Sequence, residues 1–191
     1  ATRNAAGGTI SLLGRGYAGT TSKYGVLMQA AAKAQTSGNG TVTMSGTSGA
    51  GTNTNYALYL TGAGTAISSV DGAISLTGTA QGSGSSNSGI VMGAAATVSA
   101  SGTGTVSLTG QASTGTSSNR GIYLTGANTA VSSVNGNVTL TGQGAGTTTS
   151  NEGIYLDTGA TVASTGSGAL TLTGHAGGTT VQGVYLNQTT A

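Results

Sequence analysis

The sequence predicts an all-β chain: a parallel β-solenoid (β-helix) of six 32-residue rungs with three short strands per rung, forming a single repeat array over 1–191. Three observations predict it. A seven-residue phrase, Gly-x-aliphatic-Ser/Thr-Leu/Met-x-Gly, begins at Gly8, Gly40, Gly72, Gly104, Gly136 and Gly168, each 32 residues after the last, and a fixed period of that length is the mark of a repeat architecture. Within the phrase, apolar and hydroxyl residues alternate, as in Thr105-Val106-Ser107-Leu108-Thr109; a period of two belongs to strands and not to helices. Composition agrees, because 37 of 191 residues are Gly and there is no Pro to interrupt a backbone ladder.

The phrase supplies the first strand of each rung, with flanking glycines to permit tight corners. A second strand follows from the recurrent Gly25-Val26-Leu27-Met28, Ala57-Leu58-Tyr59-Leu60, Gly89-Ile90-Val91-Met92, Gly121-Ile122-Tyr123-Leu124, Gly153-Ile154-Tyr155-Leu156 and Gly183-Val184-Tyr185-Leu186. Its spacing is 32 four times and then 30, and the shortening falls in the polar stretch before Gly183, where a loop absorbs it. The third strand alternates in form. Copies one, three and five resemble Thr97-Val98-Ser99-Ala100-Ser101-Gly102-Thr103-Gly104, whereas copies two and four read Thr65-Ala66-Ile67-Ser68-Ser69-Val70-Asp71-Gly72 and Thr129-Ala130-Val131-Ser132-Ser133-Val134-Asn135-Gly136, so the unit of repetition is either 32 or 64 residues. Stretches such as Gln111-Ala112-Ser113-Thr114-Gly115-Thr116-Ser117-Ser118-Asn119-Arg120 have the chemistry of loops.

Stacking sets equivalent residues about 4.8 Å apart. Asn55, Asn87, Asn119 and Asn151 share a 32-residue spacing and predict a structural ladder of amides that tolerates a left-handed corner, ending where Lys23 takes the column. Arg120 and Glu152 also differ by 32 and predict a cross-rung ion pair; as an exposed pair it would contribute ~0 to 1 kcal/mol. In the second strand the outward column reads Leu27, Tyr59, Val91, Tyr123, Tyr155, Tyr185. Either it is an exposed stripe about 29 Å long that forms a lateral interface with another chain, or the preceding loop covers it.

Other chemistry is thinly represented. Five Lys+Arg against three Asp+Glu give a net charge of +2, and only Arg3, Arg15, Lys23 and Lys33 lie near one another in sequence, too few to track nucleic-acid phosphates. The absence of Cys removes disulfides and thiolate metal sites, and no run of 18 apolar residues exists to insert in a membrane. The acids are Asp71, Glu152 and Asp157; Glu152 and Asp157 bracket one strand, about 16 Å apart, beyond the carboxylate spacings of glycosidases. His175 falls in the loop column of Gln111 and Gln143, and no repeated Asp columns offer calcium ligands. No catalytic residue, metal ligand or cofactor is expected, and the chain is not expected to be an enzyme. Outward hydroxyls such as Thr41/Thr43/Ser45, Thr105/Ser107/Thr109 and Thr171/Thr173 form an array that can order water or bind ice, interrupted by Ala73, Asn137 and Ala169.

The repeated Gly-x-Val-x-Leu-Thr-Gly, Gly-Ile-Tyr-Leu and Ala-x-Val-x-x-x-Gly phrases resemble the β-helical shafts of filamentous-haemagglutinin-like and other very large bacterial surface proteins. The 32-residue copy is longer than that family's usual rung, and nothing here resembles its secretion domain. The resemblance implies a secreted or cell-surface location and a structural, adhesive role in a filament. Its partners would be copies of the chain itself, end to end and laterally, and a glycan or host surface. A β-solenoid that binds a carbohydrate or ice surface is the alternative. The sequence opens Ala1-Thr2-Arg3 and stops soon after Leu186-Asn187-Gln188 without a capping helix, so the array is expected to continue into further repeats or to stack on another copy.

Overall fold

A computed structural model describes residues 2–4, 7–179 and 181–187; Gln188 and the side chain of Arg3 lie outside the described residues. Eighteen strands and no helix appear among them. The phrase beginning at each repeated glycine forms β2 (Thr9–Arg15), β5 (Thr41–Thr47), β8 (Ile74–Thr79), β11 (Val106–Gln111), β14 (Val138–Gln143) and β17 (Leu170–His175), which pair in that order as the first sheet. The second sheet orders β3 (Val26–Met28), β6 (Leu58–Thr61), β9 (Ile90–Gly93), β12 (Ile122–Thr125), β15 (Ile154–Asp157) and β18 (Val184–Asn187). The third contains β1 (Thr2–Asn4), β4 (Lys33–Thr36), β7 (Ala66–Ser69), β10 (Thr97–Ala100), β13 (Ala130–Ser133) and β16 (Thr161–Ser164). Every pairing is parallel and joins successive rungs, as Ile90↔Ile122↔Ile154 illustrates. The fold is therefore a parallel β-solenoid with three strands per turn.

Alternation places one residue set inside. Val42 and Met44, Ile74 and Leu76, Val106 and Leu108, and Val138 and Leu140 face Leu58 and Leu60, Ile90 and Met92, Ile122 and Leu124, and Ile154, across a continuous core. The third sheet contributes Ala34, Ile67, Val98 and Val131. Its second inward position carries a hydroxyl on most rungs, Ala100 being an exception, and that hydroxyl satisfies a corner carbonyl: Thr36 Oγ1 donates to Gly40 O at 2.7 Å and Ser69 Oγ to Gly72 O at 2.6 Å. Glycine at Gly110 is a close-approach requirement, because a Cβ there would collide with the backbone carbonyl of Gly121 where the first and second sheets meet.

The alternation of third strands has a geometric cause. In the first and second sheets partners differ by 32 residues or, at the last rung of the second, by 30, but in the third sheet Ala34↔Ile67↔Val98↔Val131↔Val162 alternate between 33 and 31. Copies two and four have a four-residue turn before the third strand (62–65, 126–129) and four residues after it (70–73, 134–137). Copies three and five have three before (94–96, 158–160) and five after (101–105, 165–169). A residue gained at one corner is thus returned at the next, and the sheet stays in register. Side chains fit the two corner types to each other. Asp71 Oδ1 accepts from the N–H and hydroxyl of Thr103 at 2.9 and 3.1 Å, and Asn135 Oδ1 accepts from Ser167 N–H at 3.4 Å. Gly102 and Gly166 lie directly beneath those oxygens, where a Cβ would strike them.

Candidate functional site

Most of the tyrosines, with Lys23, Arg120, Glu152 and Asp157, lie on the second sheet and the loops that enter it. Tyr123, Tyr155 and Tyr185 occupy successive rungs in one column. Their rings stack, 5.3 Å between centroids with 11° between planes for the first pair and 5.0 Å with 5° for the second. The facing sides of these rings cover one another, and Tyr185, at the end of the stack, is 37% exposed while Tyr123 and Tyr155 are half-buried. Toward the first rung, Tyr59 joins Tyr24 and Tyr56 in a cluster with centroids 5.2–5.7 Å apart. Burial, reinforced by the neighbouring Tyr59 and Tyr24 phenols, pushes the Tyr56 hydroxyl up to about 12. Burial likewise raises the Tyr155 phenol, partly opposed by a hydrogen bond from Asn187.

The expected stripe is not continuous. Val91 is only 5% exposed, because its rung neighbours Tyr59 and Tyr123 flank it with far larger side chains, so it offers no surface to a lateral partner. Tyr24 and Tyr56 were not foreseen, since they sit two residues before β3 and β6 begin, outside the strand alternation. Their own 32-residue spacing, in a chain with only seven Tyr, was the available signal.

Arg120 pairs with Glu152 as the spacing predicts, Nε to Oε2 at 2.7 Å. The expectation that the pair is exposed is wrong: the side chains are 16% and 5% exposed. The tyrosine ladder is the reason. The guanidinium carbon lies 4.7 Å from the Tyr123 ring centroid and 4.6 Å from that of Tyr155, a double cation–π contact that draws Arg120 down onto the sheet and covers the carboxylate. Asp157 closes the other end of the strand, accepting from the Tyr123 hydroxyl at 3.3 Å and from Asn187 Nδ2 at 3.1 Å, while Asn187 Nδ2 also donates to Tyr155 Oη at 3.0 Å. Glu152 and Asp157 thus serve separate partners, and Asp71 sits at a corner of another sheet. His175 is exposed and registers with Gln143, as its column predicts, but the column is not a loop: Gln111, Gln143 and His175 each end a strand of the first sheet. Among the described residues no group of three His, Cys, Asp or Glu side chains is placed to hold a metal ion, and no helix is long and apolar enough to cross a membrane.

Behind this face runs the asparagine ladder. Asn55, Asn87, Asn119 and Asn151 are fully buried. Each side-chain oxygen accepts the backbone N–H of its counterpart one rung earlier, at 3.2 Å for Asn55 to Asn87, 2.8 Å for Asn87 to Asn119 and 3.0 Å for Asn119 to Asn151. Each Nδ2 of Asn87, Asn119 and Asn151 also donates to a loop carbonyl of the preceding rung: Thr52 at 3.0 Å, Gly84 at 3.1 Å and Thr116 at 3.1 Å. The ladder is therefore mainly amide-to-backbone; the exception is Asn55 Nδ2, which donates to Asn87 Oδ1 at 2.7 Å. Lys23 ends it, giving its backbone N–H to Asn55 Oδ1 at 3.0 Å and supplying no amide of its own. The left-handed residue is not the asparagine but the one before it, with φ of 59° at Thr54 and Ser86, 56° at Ser118 and 60° at Ser150. That twist aims the amide inward under the loop. Comparison with family models, with curated proteins and with solved structures returns no match to this chain.

Proposed function

We propose that the chain is a structural shaft of a secreted or cell-surface bacterial filament or adhesin, extended by stacking of rungs and associating with copies of itself. The observation that carries this reading is where the polar and aromatic side chains are spent. The asparagines, the Arg120–Glu152 pair, the Tyr123–Tyr155–Tyr185 stack and Asp71 all bond from one rung to the next. Such bonding stiffens a rod along its axis. The resemblance to filamentous-haemagglutinin-like shafts supports the same reading, and a glycan or host surface is the adhesive partner it suggests. Electron microscopy of the native material tests it: rods with an axial repeat of about 4.8 Å are expected, and compact particles of uniform size would overturn it.

A second reading is favoured by the first sheet. Of its two central outward columns, Ser11/Thr43/Ser75/Ser107/Thr139/Thr171 carries a hydroxyl on all six rungs, and Leu13/Ser45/Thr77/Thr109/Thr141/Thr173 on all but the first, where Leu13 is exposed. Ala73, Asn137 and Ala169 interrupt only the column beside them. Such a lattice suits an ice or carbohydrate surface. Ice shaping that is lost in Thr77→Leu/Thr109→Leu would support this alternative over the shaft; freezing indistinguishable from buffer would eliminate its ice form.

A further inference from the structure

Tyrosines one rung apart with stacked rings are placed for a reaction that isolated tyrosines rarely complete. A tyrosyl radical is short-lived, and joining two of them requires a second radical to arise beside the first. Tyr155 has such a neighbour on each side, with ring centroids 5.3 Å away at Tyr123 and 5.0 Å away at Tyr185. Arg120 holds the first two rings from the side. Oxidation of a phenol at neutral pH needs an acceptor for its proton, and the Asp157 carboxylate already takes the hydrogen bond of the Tyr123 hydroxyl at 3.3 Å. Tyr185 is 37% exposed and Tyr123 and Tyr155 are only half-buried, so a small oxidant reaches the stack.

We propose that Tyr123, Tyr155 and Tyr185 form an oxidative cross-linking site, with Tyr155 its obligatory member, at which adjacent rungs are joined through dityrosine. Two phenols each give one electron to a one-electron oxidant. Each also releases one proton, that of Tyr123 passing to Asp157. The two phenoxyl radicals turn about their Cβ–Cγ bonds until the ortho carbons meet and form one C–C bond. The hydrogen on each joined carbon then moves to its oxygen, restoring both phenols. The balance is two tyrosines and two oxidant molecules giving one dityrosine, two protons and two reduced oxidant molecules. Proximity makes the coupling intramolecular, and the product staples two rungs that otherwise hold by non-covalent bonds alone. This site is independent of whether the chain is a shaft or an ice-binding surface.

The test uses the full chain, dilute, with a photo-generated ruthenium(III) polypyridyl complex as oxidant. The expected product is a monomer lighter by two hydrogens per link, with dityrosine fluorescence. Cleavage after Arg120, after Glu152 and before Asp157 places the three tyrosines on separate peptides, 121–152, 153–156 and 157–191. The link should join 153–156 to one of the other two. Tyr155→Phe keeps the ring in the stack but removes its phenol, leaving Tyr123 and Tyr185 two rungs, about 10 Å, apart; links among these three peptides should fall about tenfold or more, with any coupling in the separate Tyr24, Tyr56 and Tyr59 cluster unchanged and the β signature in circular dichroism unchanged. Tyr17→Phe removes the most exposed tyrosine, 90% exposed, and should leave the yield as it was. Links between 121–152 and 157–191 that omit Tyr155, links that sit chiefly at Tyr17, or links that form only between chains would overturn the proposal.

Discussion

At Arg120 and Glu152 the outcome turns on burial. A carboxylate 4% exposed tolerates its charge because a guanidinium 2.7 Å away neutralises it. Removing that partner strands the charge, so Arg120→Ala should destabilise by about 3–5 kcal/mol. The double variant Arg120→Met/Glu152→Met should recover most of the loss, since an apolar pair needs no neutralisation. Urea denaturation of the three proteins checks this, and equal costs for single and double variants would contradict it. The Tyr56 phenol gives a pH signature. Its folded value is pushed up to about 12 from 10 by burial among Tyr59 and Tyr24, so the unfolded chain releases the proton first. Its contribution is whole below about pH 10 and fades as pH rises through about 12. Stability should fall across that window, and Tyr56→Phe should flatten the fall. Both sites were half legible in the sequence. Spacing alone put Arg120 over Glu152, but their burial depends on rings that lean across from neighbouring rungs, which no one-dimensional pattern records. The same lean hides Val91 within a column that alternation marks as outward.

Among the elements, the ladders and corners carry the specificity. Asn119→Ala removes the acceptor for the buried Asn87 N–H and the donor to Gly84 O, at about 1–3 kcal/mol for each group left unpaired. Amide exchange at Asn87 should accelerate selectively, whereas exchange at Val106 in β11 should change only as far as global stability does. Two glycines separate rigid from adaptable crowding. In Gly110→Ala the new methyl meets the Gly121 backbone carbonyl, which cannot move without parting two sheets; in Gly102→Ala it meets the Asp71 carboxylate, which can. The first should cost about 1–3 kcal/mol, and Asp71→Ala should not rescue it. The second should be milder and rescued by Asp71→Ala, a coupling that a double-mutant cycle measures. Strand identity and register were readable in the first and second sheets because alternation and the 32-residue period are both written directly in the sequence. The exchange of 33 and 31 in the third sheet was visible only as two spellings of one segment, since the compensation resides in turn lengths that matter once the rungs are stacked.

For the whole molecule, each rung touches chiefly its immediate neighbours, so stability accumulates from rung-to-rung interfaces. Every reading above, shaft, hydroxyl surface or cross-linking site, presupposes that equivalent residues lie over one another along one axis. Because the chain contains no Cys, pairs of cysteines on the outward column of the first sheet can carry spin labels without background. Labels at Ser11 and Ser107 span three rungs, and at Ser11 and Thr171 five. Pulsed dipolar spectroscopy should give mean backbone separations of about 14 and 24 Å, rising by about 4.8 Å with every rung added. Separations that do not rise in proportion to rung number would contradict the stacked solenoid itself.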